Sequence, residues 1–172
     1  MKSLLKKFIR KFVIFLRYNP FNFAISLRRY FYKFLFKKSG ASFNITDNVI
    51  INFPENISIG NRVSLHQFSI LDAKSEIIIG DNVAIGSHVN IITSNHIFEK
   101  NNMPIKDQGL SSEKIVIGSN VWLGTRVTIL KGVKIGNNSI IGANSLVNKN
   151  IPNDVIAVGS PCRVIKQRWK KK

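Results

Sequence analysis

Few side chains here can move a proton near neutral pH. The 172-residue chain has three histidines, His66, His88 and His96, and one cysteine, Cys162. Imidazole titrates near physiological pH and is the commonest general base for drawing a proton from a hydroxyl. A single cysteine excludes an intramolecular disulfide framework and a cysteine-based zinc cage. Cys162 sits in a Gly-Ser-Pro-Cys-Arg-Val-Ile stretch near the end of the repeats and reads as a structural cap residue, not a nucleophile. His96 lies in a polar stretch, residues 93–114, that interrupts an otherwise regular pattern. An interruption of about twenty residues in a regular fold is more often functional than decorative.

The pattern around that stretch has a period of six. From Ile117, every sixth residue is Ile117, Leu123, Ile129, Ile135, Ile141 and Val147. The residues four places on, Val121, Val127, Val133, Ser139, Ser145 and Ile151, are small or branched. Upstream the same frame gives Phe53, Ile59, Leu65, Leu71 and Ile77, then a two-residue step to Ile79, Ile85 and Ile91. Six fits neither a 3.6-residue helix nor a hairpin. It fits a three-sided coil with one hexapeptide per face and about 18 residues per turn, in which alternation sends the aliphatic residue and the one two before it inward. Asn and Gly recur where corners fall, as at Gly60-Asn61, Gly118-Ser119-Asn120 and Gly136-Asn137-Asn138, and both tolerate positive φ. In this frame His66 follows interior Leu65 and points outward. His96 precedes the next interior position and also points outward, and His88 falls at a corner.

The first forty residues differ in kind. They hold eleven Lys or Arg and no acid, while the whole chain carries a formal charge of +17. Residues 4–17, LLKKFIRKFVIFLR, place apolar and basic side chains on opposite halves of a helical wheel. Pro20 ends that helix, because Asn19 before it disfavours the α region. Residues 21–38 continue with Phe and Tyr among Arg and Lys. Interspersed cations and the lack of a small-residue cleavage site argue against a cleavable signal. No run of eighteen apolar residues is present, which argues against a spanning helix. Such an arm can lie in an anionic membrane interface, or pack its apolar face on the body or on a second subunit. Nucleic acid is the least favoured partner for its charges, and none is expected. The chain thus divides into an arm (1–40), a coil domain (41–166, with loop 93–114) and a basic tail (167–172).

The repeats, the loop opening with Asn95-His96, and the stretch IGSNVWLGTRVTILKGVKIGNNSIIGANSLVNKNIPNDVIAVGSPCRVI resemble the hexapeptide-repeat O-acetyltransferases, above all the galactoside, maltose and polysaccharide type. The resemblance spans about residues 45–166. It implies an all-β fold, a left-handed parallel β-helix, that assembles as a homotrimer with acetyl-CoA as co-substrate in a groove between coils and no metal. It implies His96 as general base and direct transfer. On the acceptor side it points to His66, Asp72, Asn95 and Trp122, with His66 standing where galactoside enzymes carry Asn. On the cofactor side it points to Gly124, Thr125, Gly142, Ala143, Asn148, Lys149, Arg163 and Lys166. Asn148 and Lys166 depart from the usual Thr and Arg. The Thr125 hydroxyl would steady the oxyanion, Gly124 and Gly142 would admit the pantetheine arm, and the cations would meet the CoA phosphates.

Carbonic anhydrases share such coils, but the three histidines lack that family's spacing. An acid-bearing N-terminus is usual in the soluble sugar enzymes and is absent here. The expected acceptor is therefore a sugar hydroxyl on a surface-glycan precursor, free or lipid-linked, with the enzyme cytoplasmic and peripheral on the inner leaflet. Serine or amino-sugar acceptors, and a silent trimeric scaffold, are the alternatives.

Overall fold

A computed structural model describes residues 2–169; Met1 and residues 170–172, half of the basic tail, lie outside the described residues. Two helices, α1 (Lys2–Leu16) and α2 (Asn22–Leu35), open the chain. The turn between them is held by the Phe21 N–H, which donates to Asn19 Oδ1 at 3.0 Å. The apolar side of α1 is divided. Ile9, Val13 and Leu16 are buried, whereas Leu4, Leu5, Phe8 and Phe15 are exposed. Among the described residues no helix is long and apolar enough to cross a membrane.

One basic residue of the arm has gone inside. Arg28 is 2% exposed. Its Nε donates to Ile45 O at 2.8 Å, and its Nη1 donates to Leu16 O and Asn19 O at 2.7 and 2.9 Å. Burial lowers its pKa from the ordinary value, opposed by the field of Asp47. Arg28 therefore caps the carbonyl end of α1 and fastens the arm to the first coil.

The body is a parallel β-helix with three faces. The first face stacks Lys38–Ser39, Ile57–Ile59, Ile77–Ile79, Ile115–Ile117 and Lys134–Ile135. The second stacks Phe43–Ile45, Val63–Leu65, Ala84–Ile85, Trp122–Leu123, Ile140–Ile141 and Val155–Val158, closed by antiparallel Arg163–Gln167. The third stacks Ile50–Asn52, Ile70–Asp72, Asn90–Ile92, Thr128–Ile129 and Leu146–Val147. The six aliphatic positions from Ile117 to Val147 are all buried, as are their companions from Val121 to Ile151.

The upstream frame needs one correction. Phe53 is not interior. It is 43% exposed and sits at φ 54°, while Ile51 and Pro54 turn inward. The cause is coil length. Ile57 pairs with Ile77 and Phe43 with Val63, a step of 20 residues, whereas Ile117 pairs with Ile135 and Leu123 with Ile141, a step of 18. The two extra residues enter at one corner, at 52–56 in one coil and 72–76 in the next. The polar stretch 93–114 enters at the same corner of the third coil. It is a hairpin, Ser94–His96 against Leu110–Ser112.

The corners also separate two roles that composition had merged. Asn82, Asn120, Asn138 and Asn144 take positive φ, and so do Arg62, Phe68, His88 and Arg126. Gly118 does not. A Cβ there would lie 2.8 Å from Asn137 N and 2.5 Å from Asn137 Oδ1, so this glycine is set by the closeness of the next coil.

Replacing Arg28 by Ala would remove the donor to Ile45 O and Asn19 O, leave Leu16 O with the Asn19 N–H alone, and undock the arm. A loss of about 2–4 kcal/mol is expected, read as a lower midpoint in urea unfolding.

Candidate active site

The hairpin that carries His96 grows from a fixed root. Thr93 is buried, its Oγ1 donates to Asp72 O at 2.9 Å and accepts from Ser75 N at 2.9 Å, and Glu113 N donates to Thr93 O at 2.9 Å. Lys131 Nζ then reaches across to Ser111 Oγ at 3.0 Å and to the Glu113 carboxylate. At the tip, Gln108 accepts from Lys100 N at 3.0 Å and donates to Lys100 O and Met103 O at 2.7 and 2.9 Å. Asn95 and His96 stand exposed between these ties, with His96 opposite Leu110. The imidazole is thus displayed on a braced support, open to an incoming hydroxyl.

The remaining candidates fall on two edges of the prism. The chain runs from second face to third at 66–69, 86–89, 124–127 and 142–145, so His66, Gly124, Thr125, Gly142 and Ala143 stack along one edge. Backbone ladders join them: His66 N donates to Ile85 O, Gly86 N to Leu123 O and Gly124 N to Ile141 O. The chain runs from third face to first at 72–76, 92–114 and 148–150. Asp72, Asn95, His96, Asn148 and Lys149 therefore share the next edge. Trp122, 55% exposed, projects from the second face beside Gly124. Arg163 and Lys166 lie on the closing strand over that face, Lys166 opposite Ile156. His66 and His96 are therefore not brought together within one chain.

Two of these residues, Thr125 and Gly124, also carry structural duties. The Thr125 hydroxyl donates to Ser87 O at 2.7 Å, so its proton is already engaged and is not free for an oxyanion. Ser87 has no distinctive sequence signal, because its contribution is a carbonyl. At Gly124 an added Cβ would lie 2.6 Å from Ala143 N, so the coil above requires the glycine whether or not a ligand approaches. His88 adopts φ 60° at its corner and stacks on Phe68, ring centroids 4.9 Å apart. Among the described residues no three His, Cys, Asp or Glu side chains gather as a metal cluster.

The family model described as bacterial transferase hexapeptide (six repeats) matches residues 114–149. A maltose O-acetyltransferase from Clostridium difficile superposes with a TM-score of 0.83 at 30% identity, covering 98% of this chain and 89% of that one. The chain belongs to the hexapeptide-repeat acetyltransferases. A second member, the galactoside O-acetyltransferase of Escherichia coli, is 37% identical over 136 residues, 78% of this chain and 66% of that enzyme. A hexapeptide-repeat acetyltransferase from Vibrio cholerae, solved with acetyl coenzyme A, has a TM-score of 0.85 at 24% identity, covering 98% and 89% of the two chains; at that identity the likeness is one of fold. The chain spans between 40% and 66% of the length of the first curated relatives it matches.

In this hexapeptide-repeat acetyltransferase Cys162 is buried, and its thiol pKa is pushed up by desolvation, against hydrogen bonding with Ser145 and the charge of Arg163. A raised thiol pKa leaves less thiolate. Iodoacetamide should therefore leave Cys162 unmodified in the folded protein and alkylate it after denaturation, as mass spectrometry would show.

Proposed function

We propose that this protein is an acetyl-CoA-dependent O-acetyltransferase that acts on a sugar hydroxyl, with His96 as general base. The observation that carries this reading is the exposed imidazole on a braced hairpin at a prism edge. The named activities of the maltose and galactoside relatives support it. The His96 imidazole takes the proton of the acceptor hydroxyl as its oxygen attacks the thioester carbonyl carbon. The C–S bond then breaks, the acetyl ester forms, and the departing CoA sulfur takes the proton back from the imidazolium. No covalent acyl-enzyme is needed.

The division of candidates between two edges supports a trimer. One chain offers His96, Asp72, Asn95, Asn148 and Lys149 on one edge and His66, Gly124, Thr125, Gly142 and Ala143 on another. A seam between copies sets the first group of one against the second group of its neighbour. There Asp72, Asn95, Trp122 and His66 hold the sugar. The groove takes acetyl-CoA along Gly124, Gly142, Ala143 and Asn148, with Lys149, Arg163 and Lys166 at its phosphates.

The arm supports a peripheral place on an anionic membrane face, with a glycan precursor as acceptor. Phe15 and Phe8 are 78% and 67% exposed and Tyr18, Phe21 and Phe23 are also bare, among cations with no acid in the first forty residues. Rings enter the acyl boundary while each cation adds about 1 kcal/mol at such a surface.

Replacing His96 by Ala should lower kcat for CoA release with a sugar acceptor by about 10²-fold or more while leaving acetyl-CoA binding intact by calorimetry. Equal rates would leave the silent scaffold. Replacing Phe8 and Phe15 by Ser should sharply reduce co-sedimentation with phosphatidylglycerol vesicles, with phosphatidylcholine vesicles as the uncharged control. Unchanged sedimentation would assign those rings to contacts between subunits.

A further inference from the structure

The arm does more than rest on the coil: it walls a half-open cavity against it. Between α1, the end of α2 and the long corners at 52–54 and 72–74 lies a cavity of about 460 Å³. That is within the range of small-molecule sites, about 300–1,000 Å³. Its polar lining is Arg10, Arg17, Lys74, Asp72, Tyr32 and Asn52. Three cations thus face one acid.

Arg10 is engaged elsewhere, its Nη2 bonding Glu55 Oε2 at 2.7 Å. Arg17 is different. Its Nε is buried without a hydrogen-bond partner among the described residues. Lys74 takes part in no ion pair among those residues. A buried donor left unmade costs stability, and a guanidinium edge is shaped for a two-oxygen anion. Burial raises the Tyr32 hydroxyl pKa to about 12, against the fields of Arg17 and Arg28, so this group stays an O–H donor at neutral pH.

The position ties this cavity to the hairpin. Asp72 pairs in register with Ile92, and its carbonyl accepts the Thr93 hydroxyl that roots the hairpin. A ligand here would lie at the foot of the support that carries His96.

We propose that this cavity is an anion subsite that takes the phosphate or pyrophosphate of a phosphorylated sugar acceptor. The inference rests on the acceptor being a sugar, as read above. Arg17 and Lys74 grip the phosphoryl oxygens, Tyr32 donates to them, and Asp72 accepts from a hydroxyl of the attached sugar.

The experiment titrates inorganic pyrophosphate into wild type, Arg17→Met and Lys74→Met at matched ionic strength, by calorimetry and thermal unfolding. Methionine keeps an apolar stem and removes the charge. Wild type should bind at about millimolar or tighter, and each variant should lose about tenfold or more. Without pyrophosphate, Arg17→Met should melt no lower than wild type, since the buried orphan is gone; with it, only wild type should gain. No binding by wild type, equal binding by both variants, or a lower melting temperature of ligand-free Arg17→Met would overturn the proposal.

His96→Ala separates the two readings, because it should bind pyrophosphate like wild type. Normal pyrophosphate binding with no acetyl transfer to any sugar would sink the proposed activity alone. Competition by glucose 1-phosphate against a short-chain prenyl pyrophosphate tells a free phosphosugar from a lipid-carried one, and displacement by either supports the subsite.

Discussion

Each coil of this β-helix exists because another covers it. Three-residue strands cannot close their own backbone hydrogen bonds, so nearly every face donates N–H groups to the coil above, as in Ser64 N to Val83 O, Ala84 N to Val121 O and Trp122 N to Ser139 O. The same stacking aligns interior side chains into columns, such as Leu65, Ile85, Leu123, Ile141 and Ala157. Repeats of this kind gain stability mainly from nearest-neighbour interfaces. A change in coil length can then be absorbed only outside the ladder. Of the three edges, one does so: it takes two extra residues twice, and then the hairpin with His96. The proposed general base sits at the edge where the fold tolerates insertion because the strands on both sides remain in register.

The columns were legible in the sequence because a buried ladder demands an aliphatic residue at a fixed interval. The long corners were less so. Ile77, Ile78 and Ile79 are three isoleucines in succession, and the pattern alone fits either frame through them. Phe53 fell on the six-residue count and looked interior by its type, yet the extra residues push it into a left-handed corner in the open. Glycines pointed to corners correctly but for another reason. At Gly60, Gly80, Gly118 and Gly136 a side chain is excluded by the neighbouring coil, a contact between residues 16 to 39 apart that no local pattern encodes.

The site divides the same way. His96 lay in the stretch that breaks the repeat, but its role as a base and the group Gly124, Thr125, Gly142 and Ala143 came from the family resemblance, and the frame only placed them on edges. The engagement of the Thr125 hydroxyl was not legible, since its partner is the carbonyl of Ser87, 38 residues away. Nor was the cavity, whose lining joins residues 10 and 17 to residues 72 and 74 only after the arm has docked.

That docking turns on one charged side chain, and the consequence reaches past stability. Had Arg28 stayed in solvent, the junction after α1 would lose its tie to Ile45 O of the first coil and the arm could detach as a whole. Held to Leu16 O, Asn19 O and Ile45 O, it pins the junction of both helices to the first coil. The amphipathic pattern then cannot bury all its apolar residues: Ile9, Val13 and Leu16 go in, and Phe8 and Phe15 are left out. A loose amphipathic arm would turn its whole apolar stripe toward whichever surface was nearest. A pinned one presents fixed rings on one side and fixed guanidinium groups, Arg10 and Arg17, toward the coil on the other. The same anchor therefore determines both what the arm shows to its surroundings and the cavity it walls at the foot of the hairpin.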